Sequence, residues 1–147
     1  MTGLDVGADA LIEVAVVITG ADLTVVDPGI DVLIAPPDAA LEGMSDFVRD
    51  MHTKSGLLDD LKDGVTMEEA TERVLSYIKR FVPEAGKALL AGNSVGTDKM
   101  FLEANMPAVI DHLHYRLIDV SSIKELAKRW YRSAFAEAPE KHGGHRA

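Results

Sequence analysis

The run Gly92-Asn93-Ser94-Val95-Gly96-Thr97-Asp98 follows a short apolar stretch, Ala88 to Ala91, with a glycine-led turn and then an acid. A carboxylate at such a place can bind a hard divalent cation through oxygen. No cysteine occurs anywhere in the chain, so any metal must sit on oxygen or nitrogen and no disulfide framework exists. Taken alone, Asp98 reads first as an acid favoured near a helix start by the macrodipole. His142 and His145 in the glycine-containing tail have a spacing that a metal-binding pair can use, yet histidines in a polar tail are ordinarily solvated. A second place of interest is Val120 to Ser122, at the end of another apolar run.

These residues need elements to hold them. Leu11 to Thr19 and Leu23 to Ala35 are rich in Val and Ile and are separated by Gly20-Ala21-Asp22, which predicts an antiparallel hairpin. Asp27-Pro28-Gly29 should split or bulge its second strand, which suits an edge. After Pro36-Pro37 the pattern turns helical, with Asp38 as cap and Leu41, Met44, Phe47, Val48 and Met51 as the inward stripe. A short helix over Leu57 to Lys62 is stopped by Gly64. Thr66 and Glu69 form a capping box for a helix whose buried face is Ala70, Val74, Tyr77, Ile78 and Phe81, ended by Pro83. Asp98 lies at the start of a further helix that Pro107 ends or interrupts. Tyr115 to Val120 reads as a strand. Ser122 and Glu125 make a second capping box, for a helix burying Ile123, Leu126, Ala127 and Trp130, and beyond Tyr131 the pattern suggests a loop.

A hairpin followed by helices alternating with single strands defines an α/β domain with a mixed sheet. In such sheets ligands gather at the carboxyl ends of strands, which points to Gly92–Asp98 and to Val120–Ser122. The 147 residues make one domain, 1–147, with 47% hydrophobic and 27% charged residues, which excludes whole-chain disorder. Apolar stretches such as Val14 to Ile18 are far short of the ~20 residues a bilayer requires, and no signal segment opens the chain, so a cytoplasmic address is expected. The formal net charge of -9 argues against long duplex nucleic acid as a ligand. Phosphodiesters remain accessible if acids gather around divalent cations.

G-N-S-V-G-T-D at Gly92 to Asp98 and H-Y-R-L-I-D-V-S-S-I-K-E-L at His114 to Leu126 closely resemble the oligoribonuclease family of DEDDh 3′-to-5′ exonucleases. Met1-Thr2-Gly3-Leu4-Asp5, His52-Thr53-Lys54-Ser55-Gly56-Leu57 and Gly144-His145-Arg146-Ala147 extend the resemblance over essentially the whole chain. It implies a ribonuclease H-like fold, a homodimer, and hydrolysis of di- to pentaribonucleotides to mononucleotides. Two divalent cations, Mg²⁺ or Mn²⁺, held by four carboxylates would generate hydroxide and stabilise the leaving oxygen, with a histidine as general base.

By the same resemblance Asp98 is a metal-binding carboxylate and His145 the general base. Leu4 would wedge between two bases, Phe47 would stack on a base and His52 would contact substrate. Ser94, Arg116 and Ser121 would hold a 5′ phosphate, closing the groove and favouring very short substrates. Tyr115 would reach the partner subunit's active site. Read by pattern alone, Phe47 and Tyr115 are equally core candidates, and Trp130 is taken as core. The family's other carboxylates, an Asp-x-Glu before the Met-Thr-Gly-Leu element and an Asp beyond the histidine, have no counterpart between Met1 and Ala147. The expectation is therefore a domain without its first strand and last helix. Its alternative to an exoribonuclease is a catalytically inactive dimerising or nucleotide-binding fragment.

Overall fold

The computed structural model describes residues 1–138. Strands β1 (Glu13–Val16) and β2 (Ile30–Leu33) pair antiparallel, with Glu13 opposite Leu33 and Val16 opposite Ile30. The hairpin continues to a bridge between Thr19 and Val25, and its tip closes through Gly20 N–H donating to Thr24 C=O at 2.8 Å. The pairing of Thr19 with Val25 does not continue the register of Val16 with Ile30. The additional residues fall on the second strand around Asp27-Pro28-Gly29, as the bulge expectation required. Gly29 there has φ +98°, and a Cβ would lie 2.6 Å from the Val16 carbonyl oxygen, so only glycine fits.

The helical stretch after Pro37 is two helices rather than one. α1 (Asp38–Glu42) starts with Pro37 in the cap position, so Asp38 is its first residue and not its cap. The chain then breaks at Gly43, and Ser45 restarts it by accepting from Val48 N–H at 3.4 Å, opening α2 (Asp46–Lys54). This restart resets the helical phase. Met44 is buried, but Phe47, expected by pattern in the same stripe, is 79% exposed.

α3 (Leu57–Asp60) and a following 3-10 turn run to Gly64 as expected. α4 (Met67–Phe81) is capped by Thr66, whose Oγ1 accepts from Glu69 N–H at 3.2 Å, and it buries Ala70, Val74, Tyr77 and Ile78. Ala70, Val74 and Ile78 meet Leu11, Val32 and Ile34 from the hairpin, and Tyr77 Oη–H donates to Asp27 Oδ1 at 3.0 Å. The opposite face of the strand pair covers Leu57 and Leu61 with Ile12, so both faces of the hairpin base are packed.

β3 (Leu90–Gly92) leads into α5 (Val95–Asn105), and Pro107 opens α6 (Pro107–His112) as its first residue. Phe101, Leu102, Met106 and Val109 from α5, α6 and their joint complete the main core. β4 (Leu117–Asp119) pairs parallel with β3, Leu90 opposite Leu117 and Gly92 opposite Asp119.

Parallel and antiparallel pairings are thus both present, and the α/β class holds. One continuous mixed sheet was expected, but the described residues form two separate two-stranded pairs, β1–β2 and β3–β4.

Three further expectations are corrected at the chain's far end. α7 (Val120–Trp130) is capped by Asp119, which accepts from Ser121 N–H, so Ser122 lies inside the helix and does not cap it. Its apolar stripe is not core either: Ile123, Leu126 and Trp130 are all exposed, Trp130 by 67%. No described element lies over that face closely enough to bury any α7 residue. The expected loop after Tyr131 contains instead a short helix, α8 (Arg132–Ala136). Among the described residues no helix is long and apolar enough to cross a membrane.

Candidate active site at the carboxyl ends of β3 and β4

The parallel pair ends at Gly92 and Asp119; β4 passes directly into α7, and β3 reaches α5 through a two-residue turn. Asn93 and Ser94 make the turn after β3. Ser94 adopts a left-handed backbone, φ 58° and ψ 35°, with no side-chain cap bond to α5. Such a conformation costs roughly 1 kcal/mol or more in a residue with a Cβ, so something must hold it. Asp119 does: its Oδ1 accepts from Ser94 N–H at 2.9 Å. The same oxygen accepts from Ser121 N–H at 2.9 Å and from Ser121 Oγ–H at 2.7 Å. Those bonds, Ser121 first, hold the Asp119 carboxyl below its ordinary range.

Asp98 stands one helical turn into α5, on its first turn, with its side chain exposed. Partial desolvation raises its carboxyl above the ordinary range, partly offset by its own backbone N–H and the Met1 amino group. The negative charge of Asp119 pushes in the same direction as burial. Asp98 and Asp119 therefore share one electrostatic neighbourhood, with opposite shifts. Among the described residues no group of three or more His, Asp and Glu side chains gathers to hold a metal ion. Asp98 presents a suitable oxygen donor, but the donor set for a pair of hard cations is not assembled within residues 1–138.

Before β4 the His114-Tyr115-Arg116 triplet forms a stacked unit. The His114 and Tyr115 rings lie 4.5 Å apart at 26°, and the Arg116 guanidinium carbon sits 5.4 Å from the Tyr115 ring centre. His114 Nδ1 accepts from Arg116 N–H at 3.0 Å. Tyr115 is 75% exposed, so the core alternative for it is excluded and its ring is held outward by its neighbours.

The other sequence-derived candidates belong to a second group. Leu4 is 76% exposed at the tip of a tied loop. Thr2 N–H donates to Ala10 C=O at 2.9 Å, Thr2 Oγ1 donates to Asp9 Oδ1 at 3.1 Å and accepts from Ala10 N–H at 2.8 Å, and Asp9 Oδ2 accepts from Asp5 N–H at 2.9 Å. A Cβ at Gly3 would fall 2.2 Å from the Asp9 carboxylate, so a larger residue there would have to displace Asp9 from its bonds to Thr2 and Asp5. α2 carries both Phe47 and His52. His52 is buried, with Nε2 3.0 Å from the Met1 carbonyl oxygen, so it ties the Phe47 helix to the Leu4 loop. Leu4 and Phe47 are thereby two exposed apolar side chains on elements that are bonded together. His145 lies outside the described residues, as does His142.

Sequence reasoning missed Asp119, Thr2 and Asp9. The signal for Asp119 was present, because D-V-S at a strand end offers an acid to the amide two residues on. Its reach back to Ser94, across 25 residues, had no sequence signature.

The class of protein follows from comparison with known families. A family model described as Exonuclease matches residues 1–147. Similar proteins include the oligoribonuclease of Leifsonia xyli subsp. xyli, 56% identical over 147 residues, which are all of this chain and 71% of that protein. The oligoribonuclease of Cutibacterium acnes is 56% identical over 147 residues, 73% of its length. That of Mycobacterium sp. strain KMS is 49% identical over 148 residues, 69% of its length. The chain belongs to the oligoribonuclease family of exonucleases, and by family it is an exoribonuclease.

Proposed function

We propose that this protein removes nucleotides from the 3′ end of di- to pentaribonucleotides in the cytoplasm, as a homodimer using Mg²⁺ or Mn²⁺. The observation that carries the proposal is the junction at the ends of β3 and β4, where Asp98, Ser94, Ser121 and the His114–Arg116 stack follow two adjacent parallel strands. Asp98 takes one cation-ligand position. When bound, the cations would turn a water into hydroxide and stabilise the negative charge that develops on the leaving oxygen. Ser94, Arg116 and Ser121 hold the 5′ phosphate, so length selection arises because this end of the groove is closed. Leu4 and Phe47 meet the bases, and stacking on Phe47 tolerates any base because every base has a π-face. His52, assigned to substrate contact by the resemblance, is buried and ties the elements that carry Leu4 and Phe47. Tyr115, held outward, contributes to the partner subunit's site, and His145 serves as general base.

The finer fold assignment belongs to the same proposal. A strand between the β1–β2 and β3–β4 pairs would join them into one ribonuclease H-like sheet, and a helix over α7 would cover Ile123, Leu126 and Trp130. The two separate pairs and the open face of α7 support this reading.

A second reading, an inactive chain that still binds nucleotides or dimerises, is favoured by the absence of a three-acid cluster among the described residues. A dinucleotide turnover assay with Mn²⁺ separates the two. The exonuclease reading expects mononucleotide release that Asp98→Ala abolishes. The binding-only reading expects a bound 5′-phosphorylated dinucleotide without release. Release that survives Asp98→Ala at near-normal rate would overturn the assignment of Asp98.

A further inference from the structure

Three hydrogen bonds converge on a single atom, Asp119 Oδ1, and their donors come from both sides of the junction. On one side is the backbone of Ser94, held in a left-handed conformation with no cap bond of its own. On the other are the backbone N–H and the hydroxyl of Ser121. The parallel ladder behind them is three residue pairs long, too short to fix by itself what lies past its ends. Beyond those ends, the bond from Ser94 N–H to Asp119 ties the two turns together.

From this geometry we infer that Asp119 is a positioning residue for 5′-phosphate recognition, setting the turns of Ser94 and Ser121 beside Arg116; the one Ser121 hydroxyl hydrogen, donated to Asp119 here, has to turn to the phosphate to bind it. The inference rests on the phosphate-clamp reading above and deepens it. Asp119 is not placed as a second cation ligand, although its charge is felt at Asp98. Oδ1, already accepting three hydrogen bonds, is unavailable to a metal, and among the described residues no group of three acids or histidines gathers around the remaining oxygen, Oδ2. Nor does Asp119 face the phosphate as a contact, because its charge would repel it. Its action passes through the serines. All three bonds use Oδ1, so an asparagine, which keeps one carbonyl oxygen, can replace it, whereas alanine cannot.

The test compares adenosine dinucleotides with and without a 5′ phosphate, bound in EDTA to the full chain and measured by calorimetry. The unmodified protein is expected to prefer the phosphorylated ligand. Asp119→Ala should reduce that preference about tenfold while leaving the unphosphorylated ligand within about twofold, and Asp119→Asn should restore it. Exchange of the Ser94 amide hydrogen should accelerate in Asp119→Ala and not in Asp119→Asn. Should Asp119→Ala fail to fold, Asp119→Ser, which can still cap α7 but is too short to hold the Ser94 amide as well, is expected to lower the preference partially. The inference is overturned if the preference survives Asp119→Ala, if asparagine fails as fully as alanine, or if both ligands weaken equally. No preference in the unmodified protein would overturn the clamp reading itself. A preference that persists in Asp119→Ala would overturn only the positioning role.

Discussion

α4 and α7 have apolar stripes of the same helical period, and their surroundings treat them differently. Ala70, Val74, Tyr77 and Ile78 of α4 are packed on the hairpin and on α5 and α6, whereas α7 buries no residue. Amphipathicity states that a face is suited to be covered, not what covers it. The hairpin and α4 form a region whose structure is explained by burial. The β3–β4 end is instead explained by polar bonds converging on Asp119, with apolar side chains left around it.

The largest expected effect exploits that contrast directly. Ile78→Ala should cost about 2–5 kcal/mol in chemical denaturation, since it opens a cavity in a packed core. Leu126→Ala, the matching change on α7, should stay within about 0.5 kcal/mol because the side chain is exposed. Comparable losses for both would show that the α7 face is covered in solution, as a homodimer or an added helix would require.

The next effect concerns binding. Arg116→Ala should weaken a 5′-phosphorylated dinucleotide about tenfold more than an unphosphorylated one, because a guanidinium makes charge-assisted bonds with phosphate. Equal losses in calorimetry would reduce Arg116 to a support for the Tyr115 ring, against which its guanidinium lies.

The smallest effect is on the acid side of the stability profile. Each region is closed by an aspartate whose carboxyl is held below the ordinary range near 3.8: Asp22 by Thr24 at the hairpin tip, Asp119 by Ser121. A depressed folded-state pKa contributes stability above the unfolded value that is lost as pH falls through the folded value. Melting temperature should therefore decline below about pH 4, and Asp119→Asn and Asp22→Asn should each flatten the decline slightly. Asp98 has the opposite sign, since partial desolvation raises its carboxyl, so Asp98→Asn should steepen the same decline. A profile unchanged by all three substitutions would contradict these assignments.

Much of the packed region was legible in sequence because its signals are local. Val and Ile alternation, the Gly20-Ala21-Asp22 turn, the Asp27-Pro28-Gly29 bulge and the Thr66–Glu69 box each specify structure within a few residues. Misreadings arose where a local signal had a competitor. Ser45 restarted a helix that periodicity read as continuous, turning Phe47 outward, and Asp119 took the cap position from Ser122. The site was legible in part, through the motif containing Ser94 and Asp98 and through His114 to Ser121. What joins these motifs, Asp119 to Ser94 and His52 to Met1, depends on tertiary contacts of long sequence separation. No periodicity or spacing encodes such contacts.

The central claim is that the polar junction, rather than the hairpin or the basic end of α7, is where short RNA is held by its 5′ end. Amide chemical-shift mapping tests it most directly, with a 5′-phosphorylated ribodinucleotide titrated into the chain in EDTA. The largest shifts are expected at Ser94, Arg116 and Ser121, smaller ones at Leu4 and Phe47, and none at Val17 to Val26. Shifts concentrated on that hairpin or on Lys128 to Arg132, or no saturable shifts at all, would contradict it.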